Sequence, residues 1–532
     1  MPVQGTMLIG QSALHGVAPS LNAFDPALGA PIEPSFGGAT AADVDRACRL
    51  ADTAYESYSR TDPELRATFL EAIAANLLAL GDELVDRTMS ETGLPRTRIQ
   101  GEQARTAAQV HHFASVVRSG LWRRATIVSA DSRKAVPSPD MRLHKVALGP
   151  VAVLGASNFP LLYSVAGGDT ASALAAGCPV IVKAHFSHLG TSELVGRALQ
   201  KAVADFGLHE GVFSLIVGAG NAAAEALVDH PAIKAVAFTG SQAGGMALVR
   251  RGQQRPEPIP VFTEMTSVNP NFVLPHVVAT RGEALAVRFA EQVAAGVGQM
   301  CLKPGVLIAI EGNGFGAMRS ALQDAVSAKP AATMLSPGIH DAYGRRTERQ
   351  RAAAPVIASG GPPTGKNDGQ ALLFEINADA LLADVTLAEE MFGPAALLVR
   401  CSRFSDMVRI AERLPGQLTM TLQMDAEDAA LAKALMPVLE RKAGRIIANG
   451  FSNAAVEFTS ATNHGGPFPA TSDSRFTSVG SSAIDRFLRP VSYQNVPAVL
   501  LPPALRDENP YGLTRLRDDR FETIRQRREA VR

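Results

Sequence analysis

Between Val151 and Glu264, short apolar runs alternate with segments of helical length, and this alternation constrains the fold more than any other feature. Helical segments at 164–177, 191–206 and 221–229 separate the runs, which are VAVL (151–154), PVIVK (179–183), VFSLIV (212–217) and AVAFT (235–239). Apolar strands separated by helices form a parallel sheet that is covered on both faces. Because such crossovers are right-handed, the sequence predicts a doubly wound α/β fold of the nucleotide-binding type.

A second set of strand-like runs follows in the C-terminal half. Its members are VLIAI (306–310), ALLVR (396–400), LTMTLQ (418–423) and RIIAN (445–449), and helical periodicity at 41–60, 63–91 and 98–119 precedes both sets. A chain of 532 residues is long enough for several cores. The sequence therefore predicts two α/β units, with a ligand cleft near their junction.

Charge and hydropathy exclude two classes of partner. Lys and Arg together number 51, as do Asp and Glu, so no basic excess favours nucleic acid. Residues 146–168 lack charges, but Gly149–Pro150, Gly155 and Pro160 interrupt them, which favours a buried strand, a turn and a helix over a membrane span. The N-terminus shows no signal-peptide pattern, and we expect a cytoplasmic protein with no membrane partner.

Cysteine is scarce, and one cysteine has an unusual context. Cys48, Cys178, Cys301 and Cys401 are far apart and form no CxxC pair, so no metal site and no disulfide framework is predicted. Cys301 lies in GQMCLKPG (298–305), near the junction of the two units. The thiol is either an apolar filler or a nucleophile presented by a turn. Lys303 is expected to be solvated, or to stabilise a Cys301 thiolate through its charge.

Several polar residues follow the strands of the first set. Asn158 precedes Pro160, a residue that often starts a helix, and Lys183 ends a strand. Gly240 and Ser241 open a helical stretch, and a helix N-terminus is a general anion site. A turn asparagine and a surface lysine are the plain alternatives, and the GxGxxG spacing of a dinucleotide site is absent.

Two acidic motifs lie nearer the predicted junction. Glu264 ends an apolar strand, so its carboxylate either pairs, faces solvent or has a raised pKa that would suit a general base. Glu390 and Phe392 in EEMFGP precede a Gly–Pro turn and indicate no more than that turn.

Taken together, six motifs resemble the aldehyde dehydrogenase superfamily in their order and spacing, over roughly residues 19–501. They are GASNFP, IVKAH, FTGS, FTEM, GQMCLKPG and EEMFGP. Longer phrases such as HGGPFPATSDSRFTSVGSSAIDRFLRPVSYQ resemble its bacterial branch that oxidises 2-oxoglutarate semialdehyde (2,5-dioxovalerate), near the NADP-dependent members. The resemblance implies two doubly wound α/β domains with a small β oligomerisation extension, in a homodimer or homotetramer. The implied parts are an NAD(P)-binding domain (1–125 and 147–270), a catalytic domain (271–447), the extension (126–146 and 480–500) and a C-terminal tail (501–532).

The resemblance also implies residue roles. Cys301 matches the nucleophile and Glu264 the general base, while Asn158 and the backbone N–H of Cys301 match the oxyanion hole. The family's cofactor contacts correspond in this chain to Lys183, Gly240, Ser241, Glu390 and Phe392. The implied reaction is oxidation of a small aldehyde to a carboxylic acid with NAD or NADP, through a thiohemiacetal and a thioester on cysteine and without a metal.

Four positions near the implied substrate site depart from the branch or offer a replacement. Met300 stands where relatives have an aromatic residue, and Leu302 where they have a small polar one. Relatives carry an arginine near His111, and Arg105 is the candidate to replace it as a contact for the substrate carboxylate.

Cofactor choice depends on a further departure. Phe186 replaces a glutamate that NAD-selective members often hold, which removes a repulsion against a 2′-phosphate and predicts use of both cofactors.

Two other classes of function stay open at this stage. A cysteine hydrolase or acyltransferase would need a histidine near the thiol, and no motif supports any of the eleven histidines for this. A catalytically altered paralogue, acting on a longer or apolar aldehyde or only binding a ligand, is suggested by Met300 and Leu302. The intact Cys301, Glu264 and Asn158 argue against it.

Overall fold

The computed structural model describes residues 2–133, 135–453 and 458–522. The strands are β1 Met7–Ile9, β2 Ser12–Leu14, β3 Ala18–Asp25, β4 Ala30–Gly38, β5 Thr126–Val128, β6 Met141–Ala147, β7 Val151–Leu154, β8 Val180–Lys183, β9 Phe213–Ile216, β10 Ala235–Thr239, β11 Val261–Glu264, β12 Asn271–Val273, β13 Val306–Ile310, β14 Ala332–Thr333, β15 Val356–Ser359, β16 Asp368–Gly369, β17 Leu372–Asn377, β18 Ala395–Cys401, β19 Gln417–Gln423, β20 Ala443–Ala448, β21 Leu488–Gln494, β22 Arg515–Arg517 and β23 Arg520–Glu522.

The α-helices are α1 Ala41–Tyr58, α2 Pro63–Ala79, α3 Gly81–Thr92, α4 Arg96–Ser119, α5 Gly168–Ala176, α6 Leu189–Asp205, α7 Ala222–Asp229, α8 Gln242–Gln253, α9 Pro275–Ala294, α10 Phe315–Ser327, α11 Pro337–Ala353, α12 Ala378–Ala383, α13 Phe404–Arg413 and α14 Ala429–Lys442. No helix within the described residues is long and apolar enough to cross a membrane.

The first large sheet has the strand order β11-β10-β7-β8-β9-β1-β2. Strands β7 to β11 are parallel, and β1 adds antiparallel to β9. The chain starts at β7, builds β8 and β9 on one side, and returns to place β10 and β11 on the other. The order therefore reverses between β7 and β10, and ligands bind at the carboxyl ends of strands at such a point. The prediction of a doubly wound sheet is confirmed.

Two predicted helices differ from the observed ones. The stretch 63–91 is divided at Gly81, whose φ of +51° interrupts the regular helix between α2 and α3. Residues 157–167 form turns, so Pro160 starts no helix and α5 begins only at Gly168. Glu102 of α4 compensates for the missing helix, because its Oε1 accepts hydrogen bonds of 2.9 Å from the N–H groups of Leu161 and Leu162. The turn that carries Asn158 is fixed in this way.

The second large sheet has the order β15-β17-β18-β13-β12-β19-β20 and is parallel except for β15. Its strands bury apolar side chains on both faces, with Phe272, Ile308 and Phe374 on one face and Leu307 and Leu373 on the other. This sheet is the second predicted α/β unit, and Cys301 lies in the loop just before β13.

A smaller five-stranded sheet has the order β21-β6-β5-β22-β23. It joins residues 126–147 to 488–494, the segments expected to form the small extension. Residues 515–517 of the implied C-terminal tail join this sheet, because β22 pairs with β5. The Arg515 side chain is buried, and its Nη2 donates to Glu522 Oε2 at 2.8 Å. The remainder of the tail, 523–532, lies outside the described residues.

Candidate active site

A cleft of about 1140 Å³ runs along the carboxyl edge of the first sheet and faces the second unit. Every residue predicted for catalysis or cofactor binding lines it: Asn158, Lys183, Gly240, Ser241, Glu264, Cys301, Glu390 and Phe392. The structure therefore brings together residues that are up to 234 positions apart in the chain, from Asn158 to Phe392.

The loop that carries Cys301 has an unusual backbone. Gly296, Val297 and Gly298 all have positive φ, at +57°, +57° and +65°. A Cβ atom on Gly298 would lie 2.2 Å from the Gly393 carbonyl oxygen, so only glycine allows this close approach. Asn269 fixes the other side of the loop, since its Nδ2 donates to the carbonyl oxygen of Cys301 at 2.8 Å.

Lys303 is buried, and the expectation that it is solvated is wrong. Its Nζ donates to the carbonyl oxygens of Met391, Gly393 and Ala395 at 2.7, 3.1 and 2.7 Å. Burial lowers the pKa of this amine. Its hydrogen bonds are made to the backbone and not to the Cys301 thiol, so Lys303 ties the thiol loop to the segment that follows Glu390.

Two ionisable side chains, His464 and Glu264, lie beside the Cys301 thiol. His464 Nε2 lies 3.6 Å from Cys301 Sγ and 2.8 Å from Glu264 Oε1. Ser478 Oγ donates to the other carboxylate oxygen of Glu264 at 2.9 Å, and the His464 ring stacks on Tyr163 with 6.3 Å between ring centroids. The thiol thus has a histidine–carboxylate pair beside it.

The sequence did not predict His464, and the expectation that no histidine supports the thiol is wrong. A weak signal exists in NHGGPF, a histidine followed by two glycines outside any periodic segment. A Cβ on Gly465 would lie 2.4 Å from the Phe476 carbonyl oxygen, and one on Gly466 would lie 2.2 Å from that of Gln417. Both glycines are thus needed where the chain packs against β19 and presents His464.

Of the three alternatives given for Glu264, the structure shows the paired carboxylate. Burial alone would raise the pKa of Glu264, but the neighbouring His464 and the hydrogen bonds from His464 and Ser478 hold it below its ordinary value. Burial, followed by the negative charge of Glu264, raises the pKa of the Cys301 thiol well above its ordinary value. The resting thiol is therefore protonated at neutral pH and needs a proton acceptor to react.

Asn158 lies across the cleft from the carboxylate. Its side chain is almost fully buried, and its Nδ2 donates to the Gln299 carbonyl oxygen at 3.0 Å, two residues before Cys301. An amide nitrogen carries two hydrogens, so a second donor is available for an oxygen atom beside the thiol.

The far part of the cleft has the chemistry of a dinucleotide site. Lys183 ends β8, and burial lowers the pKa of its amine. Ser241 caps α8, with its Oγ accepting from the Gly244 N–H at 3.2 Å, so the positive end of that helix opens to the cleft. Glu390 Oε2 accepts from Thr266 Oγ1 at 2.7 Å, which leaves the other oxygen for a ribose hydroxyl. A cation, a helix N-terminus and a carboxylate in one groove fit a pyridine dinucleotide.

The predicted substrate-contact residues have different positions. His111 is not brought to the site: it is exposed on α4, with its Nε2 4.0 Å from Glu71 Oε1. The Arg105 guanidinium lies 5.9 Å from the centre of the Phe458 ring. Met300 and Leu302 are half-buried on either side of the thiol.

The thiol cluster also has the composition of a metal site. One ligand atom from each of Glu264, Cys301 and His464 lies within 4.8 Å of the others. These three side chains are common ligands of zinc, with a fourth position left for solvent. The expectation of no metal site considered cysteine spacing alone and did not address this cluster.

The fold and the cleft define a nicotinamide-dependent oxidoreductase with a thiol at the junction of its two units. The chain belongs to the aldehyde dehydrogenase family, whose model matches residues 17–466. It is an NAD(P)-dependent enzyme that oxidises aldehydes, and the expected cofactors, NAD or NADP, are confirmed.

Two curated relatives are similar over nearly their whole length. Alpha-ketoglutaric semialdehyde dehydrogenase 2 of Azospirillum brasilense is 52% identical, over 98% of this chain and 100% of its own. Alpha-ketoglutaric semialdehyde dehydrogenase of Acinetobacter baylyi is 42% identical, over 96% of this chain and 98% of its own.

Solved structures agree on the fold. An aldehyde dehydrogenase C mutant from Pseudomonas syringae, complexed with NAD+ and octanal, superposes with a TM-score of 0.79 at 20% identity, covering 93% of this chain and 98% of that one. The aldehyde dehydrogenase KauB from Pseudomonas aeruginosa has a TM-score of 0.79 at 19% identity, covering 93% and 97%.

Proposed function

We propose that this enzyme oxidises 2-oxoglutarate semialdehyde to 2-oxoglutarate. The observation that carries the proposal is the 52% identity, over 98% of the chain, to a relative named for that substrate. A second relative named for the same substrate, at 42% identity, supports it. The cluster around Cys301 supplies the groups that the reaction needs.

In the proposed first step, Cys301 is the nucleophile. Glu264, which is within hydrogen-bond reach of the thiol, accepts the thiol proton and passes it to solvent, while His464 Nε2–H donates to the same carboxylate at 2.8 Å. The thiolate then adds to the aldehyde carbon and forms a thiohemiacetal whose oxygen is negative. Asn158 Nδ2 and the backbone N–H of Cys301 donate to that oxygen.

The second step releases the acid. The nicotinamide, when bound, supplies the hydride acceptor, and loss of hydride from the thiohemiacetal carbon leaves a thioester on Cys301. Glu264 takes a proton from water, the hydroxide adds to the thioester carbonyl, and the Cys301 thiolate leaves. Ser478 and His464 hold the Glu264 carboxylate in place for this step.

The cofactor roles follow from the groove. Lys183 contacts the adenosine ribose or its phosphate, Ser241 and the preceding Gly240 face the pyrophosphate at the start of α8, and Glu390 accepts from the nicotinamide ribose. Phe392 packs beside that ribose. A Cβ on Gly240 would lie 2.6 Å from the Phe238 ring, which supports a requirement for glycine at this turn.

An absorbance assay at 340 nm tests the proposal. The purified enzyme is mixed with NAD or NADP and with 2-oxoglutarate semialdehyde, hexanal or benzaldehyde. We expect the highest kcat/KM for the semialdehyde and turnover with both cofactors. A higher kcat/KM for hexanal would support the alternative of an altered paralogue for apolar aldehydes, and no activity with any aldehyde would support a binding protein.

We further propose a homodimer or homotetramer in the cytoplasm. Strand β21 lies at the edge of the five-stranded sheet with unpaired backbone groups, and the exposed Val499 and Leu500 follow it. Light scattering should give two or four times the 55.9 kDa mass of the chain. A strict monomer would contradict this proposal.

A further inference from the structure

Arg445 of β20 lies next to the chain segment that carries His464. Asn463 Nδ2 donates to the carbonyl oxygen of Gly444 at 2.6 Å. A Cβ on Gly444 would lie only 1.9 Å from the Gly465 carbonyl oxygen. The strand and the histidine segment are therefore in direct backbone contact at the residue before Arg445.

The Arg445 side chain is linked to the thiol loop by two hydrogen bonds. Its Nη2 donates to the Ser452 carbonyl oxygen at 2.9 Å, and Ser452 Oγ donates to the Leu302 carbonyl oxygen at 2.5 Å. Leu302 follows the nucleophile directly. The guanidinium also lies within electrostatic reach of the Cys301 thiol and the Tyr163 phenol.

The guanidinium is incompletely satisfied. Its Nε is buried and has no hydrogen-bond partner, and the group forms no ion pair, within the described part of the chain. A buried cation without an anion is costly, and burial here lowers the pKa of the arginine. A guanidinium also offers an Nη1–H beside an Nη2–H in a fork that matches a carboxylate, and among the described residues only Nη2 has a partner.

We propose that Arg445 binds the carboxylate at the far end of the substrate, and that the enzyme therefore selects short aldehydes that also carry a carboxylate. This inference rests on the proposed function and adds the residue that recognises the acid group. The aldehyde carbon meets Cys301 while the carboxylate takes the open donors of Arg445. The substrate anion supplies the charge partner that Arg445 lacks among the described residues.

Arg105 is the rival from the sequence. Its guanidinium lies over the Phe458 ring, which gives it a cation–π partner in the absence of substrate. Arg445 has no such partner in the part of the chain that the structure describes, and its hydrogen bond to Ser452 leads to the thiol loop. The structure therefore favours Arg445 as the carboxylate site.

The test compares matched aldehydes on matched variants. Rates at 340 nm are measured for succinic semialdehyde, which carries a carboxylate, and for butanal, which has the same chain length without one. The variants are Arg445→Gln, Arg445→Lys and the rival Arg105→Gln. Arg441→Gln is the control, because Arg441 is exposed on the neighbouring helix α14.

Arg445→Gln should lower kcat/KM for succinic semialdehyde by about 10- to 100-fold, the scale of one charge-assisted pair, mainly through KM. Butanal should change by less than about threefold, Arg445→Lys should be intermediate, and Arg441→Gln should match the parent. Glutarate should inhibit the parent competitively and lose that effect in Arg445→Gln. Arg445→Lys keeps the test valid if the glutamine variant does not fold.

Two outcomes would overturn the inference alone. Equal losses of kcat/KM for both aldehydes in Arg445→Gln would show that Arg445 only supports the thiol loop. A loss of kcat/KM for succinic semialdehyde alone in Arg105→Gln would show that Arg105 binds the carboxylate. If the parent enzyme oxidised neither 2-oxoglutarate semialdehyde nor succinic semialdehyde, the proposed function itself would be contradicted. That result comes from the parent alone and does not depend on the variants.

Discussion

The two sides of the cleft are built in different ways. On the first sheet, each functional side chain lies at or just after the end of a strand: Asn158 after β7, Lys183 on β8, Ser241 after β10 and Glu264 on β11. On the opposite side, His464 and Ser478 come from irregular chain between β20 and β21. Strand ends position a side chain through a ladder of backbone hydrogen bonds, whereas the irregular segment depends on individual contacts. The difference predicts which substitutions act on chemistry alone.

The largest effect is expected at the junction of the two sides. Cys301→Ser should reduce hydride transfer by about 10⁴-fold or more, because an alkoxide is far harder to form than a thiolate. Stopped-flow absorbance at 340 nm measures this, and an unchanged dissociation constant for NAD would show that the cleft is intact. A loss below tenfold would mean that another group attacks the aldehyde.

On the strand side, Glu264→Gln should separate the two halves of the reaction. We expect a burst of about one equivalent of reduced cofactor, followed by turnover that is slower by about 10²- to 10⁴-fold for lack of a base. Mass spectrometry of the quenched enzyme should find the acyl group on Cys301. An acyl group on Cys48, Cys178 or Cys401, or turnover at the parent rate, would contradict the assignment.

Asn158→Ala tests the other strand-side group. Loss of one oxyanion donor should slow hydride transfer by about 10²- to 10³-fold while cofactor affinity stays the same. Single-turnover traces and a cofactor titration measure the two quantities. A variant that loses cofactor affinity instead would show that Asn158 mainly supports the Gln299 carbonyl.

His464→Gln tests the irregular side through a pH profile. Because Glu264 raises the pKa of Cys301 and the N–H of His464 partly offsets the charge of that carboxylate, this variant should shift alkylation of Cys301 by iodoacetamide to higher pH. Glu264→Gln should shift the same profile to lower pH, since it removes the negative charge. The steady-state rate of His464→Gln should fall by about 10- to 100-fold.

Cysteine selectivity makes that profile interpretable. Cys48, Cys178 and Cys401 are fully buried, and burial raises their thiol pKa values to about 12, 11 and 12. Cys301 is only half-buried and lines the cleft, so labelling should report Cys301 through its accessibility. Equal profiles for the parent and both variants would show that the three groups do not share protons.

The smallest effect concerns cofactor choice. Phe186 is 53% exposed at the cleft and stacks on His185, with 4.4 Å between ring centroids. Phe186→Glu should lower kcat/KM for NADP by about tenfold and that for NAD much less, because a carboxylate repels the 2′-phosphate. Phe521→Glu, at an exposed position on β23, is the control. An unchanged ratio of kcat/KM for NAD to that for NADP would show that Phe186 does not set cofactor choice.

The same contrast explains how far the sequence could predict the molecule. Apolar periodicity predicted β7 to β11 of the first sheet and β13, β18, β19 and β20 of the second, but not β1, β2, β12, β15 and β17. The motifs near the strand ends, together with the family resemblance, predicted the cleft-lining set from Asn158 to Phe392. His464 is 163 positions from Cys301, and no local pattern records that they meet. The burial of Lys303 and the open donors of Arg445 likewise result from packing between distant segments. Pairing was one of three alternatives for Glu264, and the sequence could not choose it because the partner, His464, was not visible there.

The amine of Lys303 has a thermodynamic consequence. Its three hydrogen bonds connect the thiol loop to the segment that follows Glu390, which restricts the movement of one relative to the other. A bound dinucleotide that orders this segment therefore also orders the loop that carries the thiol. By reciprocity, a covalent adduct on the thiol must change dinucleotide affinity by the same factor by which the dinucleotide changes formation of the adduct. In this enzyme, the equilibrium for adduct formation on the thiol and the affinity for the dinucleotide are therefore linked by one coupling free energy.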